Sequence, residues 1–365
     1  MRIVRLSMRN FRSYAAANVE LGPGVTIVTG RNGAGKTNLL DALYFGCTGR
    51  SARTTNEREL VRFGEQVVRV EVTTEAPDGL HELSVGFTPG EPKRMTADGV
   101  RVERLLDVPG RPLVSVFLPD RLELVKGTPS LRRAHMDQLV AALWPARVAT
   151  RRAYNQALAQ RNALVARIRG AGASLDSLSA WDRELARHGI ALMADRAAAI
   201  ELVAERFTVR ATELGLDGAA AVAYRPRSKA SDADALAAEL TERRAQDVER
   251  GFTAHGPHRD DLLLAHDGRE LRAYGSQGQQ RLSLLALLLA EREAIAATRE
   301  ATPVMLLDDV MSELDRDRRA RLVGLLRGRG QSVITTTDLE HVPGGAEPDV
   351  TRLSVAEGRV LAEAA

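Results

Sequence analysis

Apolar positions follow two rhythms along this chain, and the rhythm changes twice. Over the first 120 residues short strand-like runs dominate. Met1–Leu6 alternates charged and apolar residues, Val25–Thr29 reads as a buried strand, and Val67–Val72, Glu82–Phe87 and Val114–Phe117 also suit strands. Pro77-Asp78-Gly79, Thr88-Pro89-Gly90 and Asp98-Gly99 separate them as turns. From Ser130 to about Arg250 strand patterns vanish, and alanine, leucine and arginine dominate. Tyr154, Leu158, Val165 and Ile168 fall at helical spacing, as do Leu178, Trp181, Leu185, Leu192, Ala199 and Leu202. Gly170–Ser174 breaks the two runs, so an antiparallel helical pair is expected, its first helix running from Val148 to Arg169 over about 30 Å. Strands return near Asp261–Leu264, Leu282–Glu293 reads as a buried helix, and Arg352–Val355 with Arg359–Leu361 reads as a closing hairpin. The expected fold class is α/β. Segments 1–127 and 253–365 form one domain, and a mainly helical, short coiled-coil-like arm, 128–252, is inserted between them.

Behind the strand Val25–Thr29 comes Gly30-Arg31-Asn32-Gly33-Ala34-Gly35-Lys36-Thr37, which matches G-x-x-x-x-G-K-[ST] at every fixed position. A helix start follows at Asn38–Leu43, and this strand–loop–helix context separates the motif from an ordinary glycine-rich turn. Such glycines let backbone N–H groups curl round phosphates, and the helix N-terminus adds a positive field. Lys36 is expected to reach the β- and γ-phosphates of ATP, and Thr37 to hold Mg²⁺.

Pro303–Asp309 is an apolar run ending in two carboxylates. Alone that is a weak signal; paired with the loop, it is how a phosphate-loop enzyme delivers a Mg²⁺-holding acid. Asp308 takes that role in this reading, and Asp309 polarises the attacking water. Lys36 and Asp308 lie roughly 270 residues apart, which leaves room for the arm. Before the acidic strand, Gly275-Ser276-Gln277-Gly278-Gln279 opens an apolar helix, a second ready-made anion site. Within one subunit it would be redundant; it makes sense if it caps the γ-phosphate held by a second copy. Val333–Asp338 ends a strand that could sense the same phosphate.

Composition narrows the setting. Hydrophobic content of 44% and charged content of 27% fit a globular protein. The longest apolar run, Leu282–Ala290, is far short of the roughly 18 residues of a membrane span. The first residues show no signal-peptide stretch, and Cys47 is the single cysteine, so a cytoplasmic location is expected, with no membrane partner. Four lysines, Lys36, Lys93, Lys126 and Lys229, stand among 51 basic residues. Residues 131–170 carry eight arginines (Arg132, Arg133, Arg147, Arg151, Arg152, Arg161, Arg167 and Arg169) against one acid, Asp137, and the first fifteen residues carry Arg2, Arg5, Arg9 and Arg12 with none. Either cluster is a candidate footprint on a phosphate backbone or a solvated face. His255 and His258 have Pro257 between them and no evident third ligand, so a structural or phosphate-adjacent loop is expected rather than a metal site. Trp144 and Trp181 read as core anchors.

Gly30–Thr37, Gly275–Gln279, Leu306–Asp309 and Ser312–Asp315 look like the Walker A, signature, Walker B and D-loop elements of ABC-type ATPases. With Asn10–Tyr14, Thr48–Arg53, Pro119–Gly127 and His255–Asp261 they resemble, in order and over essentially the whole chain, the RecF family of bacterial DNA replication and repair proteins, relatives of the SMC proteins. The resemblance implies an ABC-type head with the arm inserted, and an ATP-dependent homodimer that binds duplex and gapped DNA. It further implies action with RecR, a functional link to RecO, and loading of RecA. Arg12 and Ser13 resemble positions that contact nucleotide phosphates. Asp120 sits where the wider superfamily has a glutamine-bearing loop, which implies a part in Mg²⁺ or water contact. Asp309 stands where many relatives have Glu, and Thr335–Thr337 where many have a histidine, which implies a weak ATPase used as a switch. An SMC-type chromosome organiser is the alternative, but it would carry long coiled-coil arms or a cysteine hook. A transporter ATPase subunit would lack the basic arm, and a small-molecule kinase would leave Gly275–Gln279 without a role.

Overall fold

The computed structural model describes residues 1–118, 122–170 and 172–363. Elements are numbered in chain order. The chain divides into two compact units, Met1–Leu122 with Glu213–Gly215 and Ile295–Ala365, and Glu123–Thr212 with Leu216–Ala294.

The first unit holds two six-stranded sheets. One is antiparallel, ordered β2-β1-β4-β5-β6-β7, from β1 (Arg2–Phe11), β2 (Tyr14–Glu20), β4 (Val68–Ala76), β5 (Gly79–Phe87), β6 (Arg94–Ala97) and β7 (Val100–Val102). Its inward positions alternate along β4 (Val68, Val70, Val72), as expected of a sheet with one face covered. The other is ordered β15-β14-β3-β13-β12-β8, from β3 (Val25–Thr29), β8 (Val114–Phe117), β12 (Val304–Leu307), β13 (Ser332–Thr336), β14 (Thr351–Ala356) and β15 (Arg359–Ala362). All its pairings are parallel except the β14–β15 hairpin. Its central strands, β12 and β13, are buried throughout, the mark of a sheet covered on both faces. Helix α1 (Lys36–Thr48) packs against strands of both sheets, and Leu39, Leu40, Leu43 and Phe45 join them in one core. Cys47 lies in that core, where burial pushes its thiol up to about 12. Helix α10 (Arg316–Leu326) also belongs to this unit, its N-terminus capped by Asp315.

The second unit contains α2 (Glu123–Lys126), α3 (Pro129–Leu143), α4 (Val148–Arg169), α5 (Ser179–Glu213), α6 (Ala233–Glu242), α7 (Arg244–Arg250), α8 (Leu271–Tyr274) and most of α9 (Gln277–Arg299). The pair α4 and α5 agrees with the sequence reading. The absence of strands between residues 130 and 250 does not: β9 (Ala220–Arg225) lies there and pairs with β10 (Asp261–His266), which pairs with β11 (Arg269–Glu270). Its alanines, Ala220, Ala221 and Ala223, have weak strand preference, so tertiary pairing decides the conformation. Gly275–Gln279 falls in this unit rather than with the C-terminal strands. Trp144 and Trp181 are half-buried, not core anchors; the Arg147 guanidinium lies 4.0 Å over the Trp144 ring. No helix among the described residues is long and apolar enough to cross a membrane.

Candidate functional site

Sheet order builds the site. β13 lies between β3, which leads into the glycine loop, and β12, which leads into Asp308. In the loop Gly30 has φ 151° and Gly35 φ 117°. A Cβ at Gly30 would sit 2.5 Å from the Val355 carbonyl oxygen, and one at Gly35 3.0 Å from both Ser13 Oγ and Tyr14 Oη. Gly30 therefore needs glycine for space as well as for backbone conformation, and Gly35 needs it for its conformation. Arg31, Asn32 and Gly33 are exposed, while Ala34 is half-buried and Gly35 is buried. The Tyr14 hydroxyl donates to the Gly35 carbonyl at 3.0 Å and ties the loop to β2.

Lys36 is 7% exposed. Its Nζ donates to the carbonyls of Gly30 (2.7 Å) and Arg31 (3.1 Å), so the ammonium lies curled under its own loop. Burial pulls its pKa down from the ordinary ammonium range, and Asp309 and Asp308 oppose that. Thr37 Oγ1 donates to both oxygens of Asp308, at 3.0 and 2.8 Å. Burial raises the Asp308 pKa, the hydrogen bonds from Thr335 and Thr37 counter it, and Asp309 adds to the rise. Asp309 adopts the left-handed region, φ 48° and ψ 28°, which is uncommon for a residue with a side chain. Its Oδ1 is buried with no hydrogen-bond partner among the described residues.

These donors fit a hard cation. A hydroxyl and a carboxylate converge, and a further carboxylate oxygen nearby is unpartnered, which is an oxygen set of the kind Mg²⁺ takes when phosphates and waters complete its octahedron. Among the described residues no group of three or more His, Cys, Asp or Glu could hold a metal ion.

Arg12 and Ser13 stand beside the loop, but Arg12 is engaged. Its Nε and Nη2 donate to Asp41 Oδ2 at 3.0 and 2.8 Å. Asp41, 1% exposed on α1, also accepts from Ser51 Oγ and the Ala52 N–H. It thus ties the Asn10–Tyr14 turn to the Thr48–Arg53 segment. The only sequence signal for this hub was an acid within an otherwise apolar helix face. Ser13 Oγ accepts from Asn38, whose Oδ1 accepts from Arg53.

Thr335 was expected near the γ-phosphate. It is fully buried, donates to Asp308 Oδ1 at 2.7 Å and accepts the Asp309 N–H at 2.9 Å. Thr336 donates to the Asp338 carbonyl, which leaves Thr337 as the exposed member of the trio. Asp120 lies outside the described residues.

In the second unit Ser276 and Gln279 form a reciprocal cap at the start of α9. Ser276 Oγ accepts the Gln279 N–H at 3.2 Å, and Gln279 Oε1 accepts the Ser276 N–H at 2.8 Å. Ser276, Gln277 and Gly278 are exposed, so the turn is presented on a pinned backbone.

The arginines of 131–170 correct the sequence reading. Arg132 is 2% exposed and pairs with Asp261 at 2.6 Å. Arg161 is wholly buried between Asp182 and Asp247, each at 2.7 Å. Arg147 pairs with Asp195 and Arg151 with Asp137, both at 3.0 Å, and Arg133 donates to the Asp260 carbonyl. Acids distant in sequence pair with four of these arginines, while Arg167 and Arg169 are exposed, and so the local charge count overstated the free surface. His255 meets Glu239, and His258 lies between Tyr154 and the Thr253 carbonyl, so both histidines serve the structure.

A family model described as an AAA domain matches residues 5–99. The DNA replication and repair protein RecF of Myxococcus xanthus is 39% identical over 377 residues, spanning 100% of this chain and 98% of its own. That of Herpetosiphon aurantiacus is 35% identical over 385 residues, spanning 99% and 100%. A solved structure of the recombination mediator protein RecF with ATP matches with a TM-score of 0.88 at 28% identity, covering 100% of this chain and 98% of that one. An Smc head bound to the C-winged helix domain of ScpA shares the fold, with a TM-score of 0.62 at 17% identity. The chain therefore has the AAA/ABC-type ATPase head fold and belongs to the RecF family of DNA replication and repair proteins.

Proposed function

We propose that this chain is an ATP-dependent DNA-binding protein of recombinational repair, in which nucleotide pairs two copies as a clamp on duplex DNA at single-strand gaps. The convergence of Thr37 and the Asp308 carboxylate, 2.8 Å apart at the foot of the Lys36 loop, carries the reading. The backbone of Gly30–Lys36 and the Lys36 ammonium hold the phosphates, and Thr37 and Asp308 hold Mg²⁺. Bound there, Mg²⁺ supplies positive charge against the phosphate oxygens. The unpartnered Asp309 Oδ1 is the acceptor that orients the attacking water. The Ser276–Gln279 turn, with Ser276 to Gly278 exposed at the N-terminus of a 23-residue helix, offers backbone N–H groups to the γ-phosphate held by the second copy.

Hydrolysis is slow and acts as the release timer. The Asp309 side chain is one methylene shorter than Glu, and Thr335–Thr337 provides no imidazole. RecR is the direct partner in this scheme, RecO a functional one, and loading of RecA the outcome. That solved relatives are RecF in ATP forms supports nucleotide use by this chain.

The test is fluorescence anisotropy of a labelled gapped duplex with and without ATP and Mg²⁺. Binding that requires both and weakens steeply with salt is expected. Absence of binding in either state overturns the clamp, and turnover of many per second without a partner overturns the timer.

A further inference from the structure

The His255–Asp261 segment is not used by the nucleotide site, yet its polar groups are tightly engaged. His255 meets Glu239, and Glu239 Oε2 also accepts from Ser228 Oγ at 2.6 Å. Asp260, fully buried, accepts the Arg227 N–H at 2.7 Å, the Tyr224 hydroxyl, and Arg196 Nη1 at 3.1 Å. Asp260 therefore holds the Arg227 backbone and the Tyr224 hydroxyl, and Glu239 joins His255 to Ser228.

The pinning sets which side chains face water. Ser228 is 1% exposed, and Arg225, Arg227 and Lys229 around it are exposed. Arg259, from the same pinning segment, is also exposed, its guanidinium 5.3 Å over the half-open Phe252 ring. Arg133 reaches the same place, donating to the Asp260 carbonyl, and its pKa is lowered by burial and by the neighbouring Arg196 and Arg259 charges.

The acids of these segments are engaged elsewhere. Asp260 is occupied as above, Asp261 accepts two bonds from Arg132 at 2.6 and 2.9 Å, and Asp232 caps α6. The side chains of Arg225, Arg227, Lys229 and Arg259 make no ion pair with any described residue.

We infer that Arg225, Arg227, Lys229 and Arg259 form a contact surface for the sugar–phosphate backbone of nucleic acid. The inference rests on the DNA-binding reading above and names the surface that serves it. A single phosphate is held by convergent N–H groups in a concave nest. Cations strung along a loop fit a polymer of repeating charge, and such contacts position the protein without reading sequence. Arg132 and Arg161, buried against acids, are not available to such a footprint.

The test uses the full chain with Arg225→Ala, Arg227→Ala and Lys229→Ala combined, and separately Arg259→Ala, in salt-dependent anisotropy of a gapped duplex. Removing one cation from a phosphate lowers the slope of log K against log salt by about 0.9, so the triple variant is expected to lose about 2 to 3 from the slope. At low salt its affinity falls about tenfold or more. Arg259→Ala loses about one unit of slope. Binding of a fluorescent ATP analogue stays unchanged in both, which shows that the nucleotide site is intact. If the unaltered chain binds duplex and both variants match it in slope and affinity, this surface is wrong while the DNA reading stands. If the unaltered chain binds no duplex, both fall. If the triple variant keeps duplex but loses labelled poly-glutamate, the partner is an acidic protein and the inference is overturned.

Discussion

Thr335 Oγ1 lies between the two acids of the candidate site, donating to Asp308 Oδ1 at 2.7 Å and accepting the Asp309 N–H at 2.9 Å. One buried hydroxyl therefore orients the carboxylate that faces Thr37 and also stabilises the left-handed backbone of its neighbour. Thr335→Val keeps the shape and removes both bonds. An unpartnered buried N–H costs about 1–3 kcal/mol, which urea unfolding should show. ATP hydrolysis should fall about tenfold, equivalent to about 1.4 kcal/mol in the barrier, with ATP affinity nearly unchanged. Thr335→Ser should restore both.

Ser276→Arg should leave ATP binding to the isolated chain intact and abolish ATP-dependent pairing, as read by analytical ultracentrifugation. Because Ser276 also caps α9, the variant should lose about 1 kcal/mol of stability. Ser276→Thr, which keeps an acceptor hydroxyl, should pair normally. Normal pairing by Ser276→Arg would show that the turn does not meet the second copy's nucleotide.

Arg161→Ala should be among the most destabilising single changes in the second unit. Arg161 joins Asp182 on α5 to Asp247 on α7 and to Thr253, wholly out of water. Removing it takes the cation from buried Asp247 and leaves Asp182 with Arg244 alone, and breaking a buried pair costs about 3–5 kcal/mol. Chemical denaturation should show a loss of that size. An effect under about 0.5 kcal/mol, normal for surface sites, would contradict the buried placement.

Stability should depend on pH through His258. Its Nε2–H donates to the Thr253 carbonyl, so its Nδ1 accepts the Tyr154 hydroxyl, and the ring is held neutral. Burial pushes its pKa down to about 4. The unfolded chain, with an ordinary value of about 6.5, takes up the proton first as pH falls. The contribution is therefore fully present above about pH 6.5 and is lost between about pH 6.5 and 4. Thermal melts across that range should show a fall that His258→Gln flattens.

Local patterns were enough to read the glycine loop, the acids ending β12 and the helix α4. Gly30 and Gly35 set the backbone of the loop, Lys36 and Thr37 follow them within two residues, and Asp308 follows directly from an apolar strand. The cap joining Ser276 to Gln279 is equally local.

Contacts between distant segments carry the rest, and no window of sequence contains both partners. Thr335 reaches Asp308 because β13 and β12 pair in parallel, with Ile334 beside Leu307. Arg132 and Arg161 looked like free charge until folding placed Asp261, Asp182 and Asp247 against them. β9 is a strand because β10 pairs with it, against the preference of its own alanines. Charge composition alone therefore set how basic the chain is. Which cations face water was decided by the acids that tertiary packing buried beside the others.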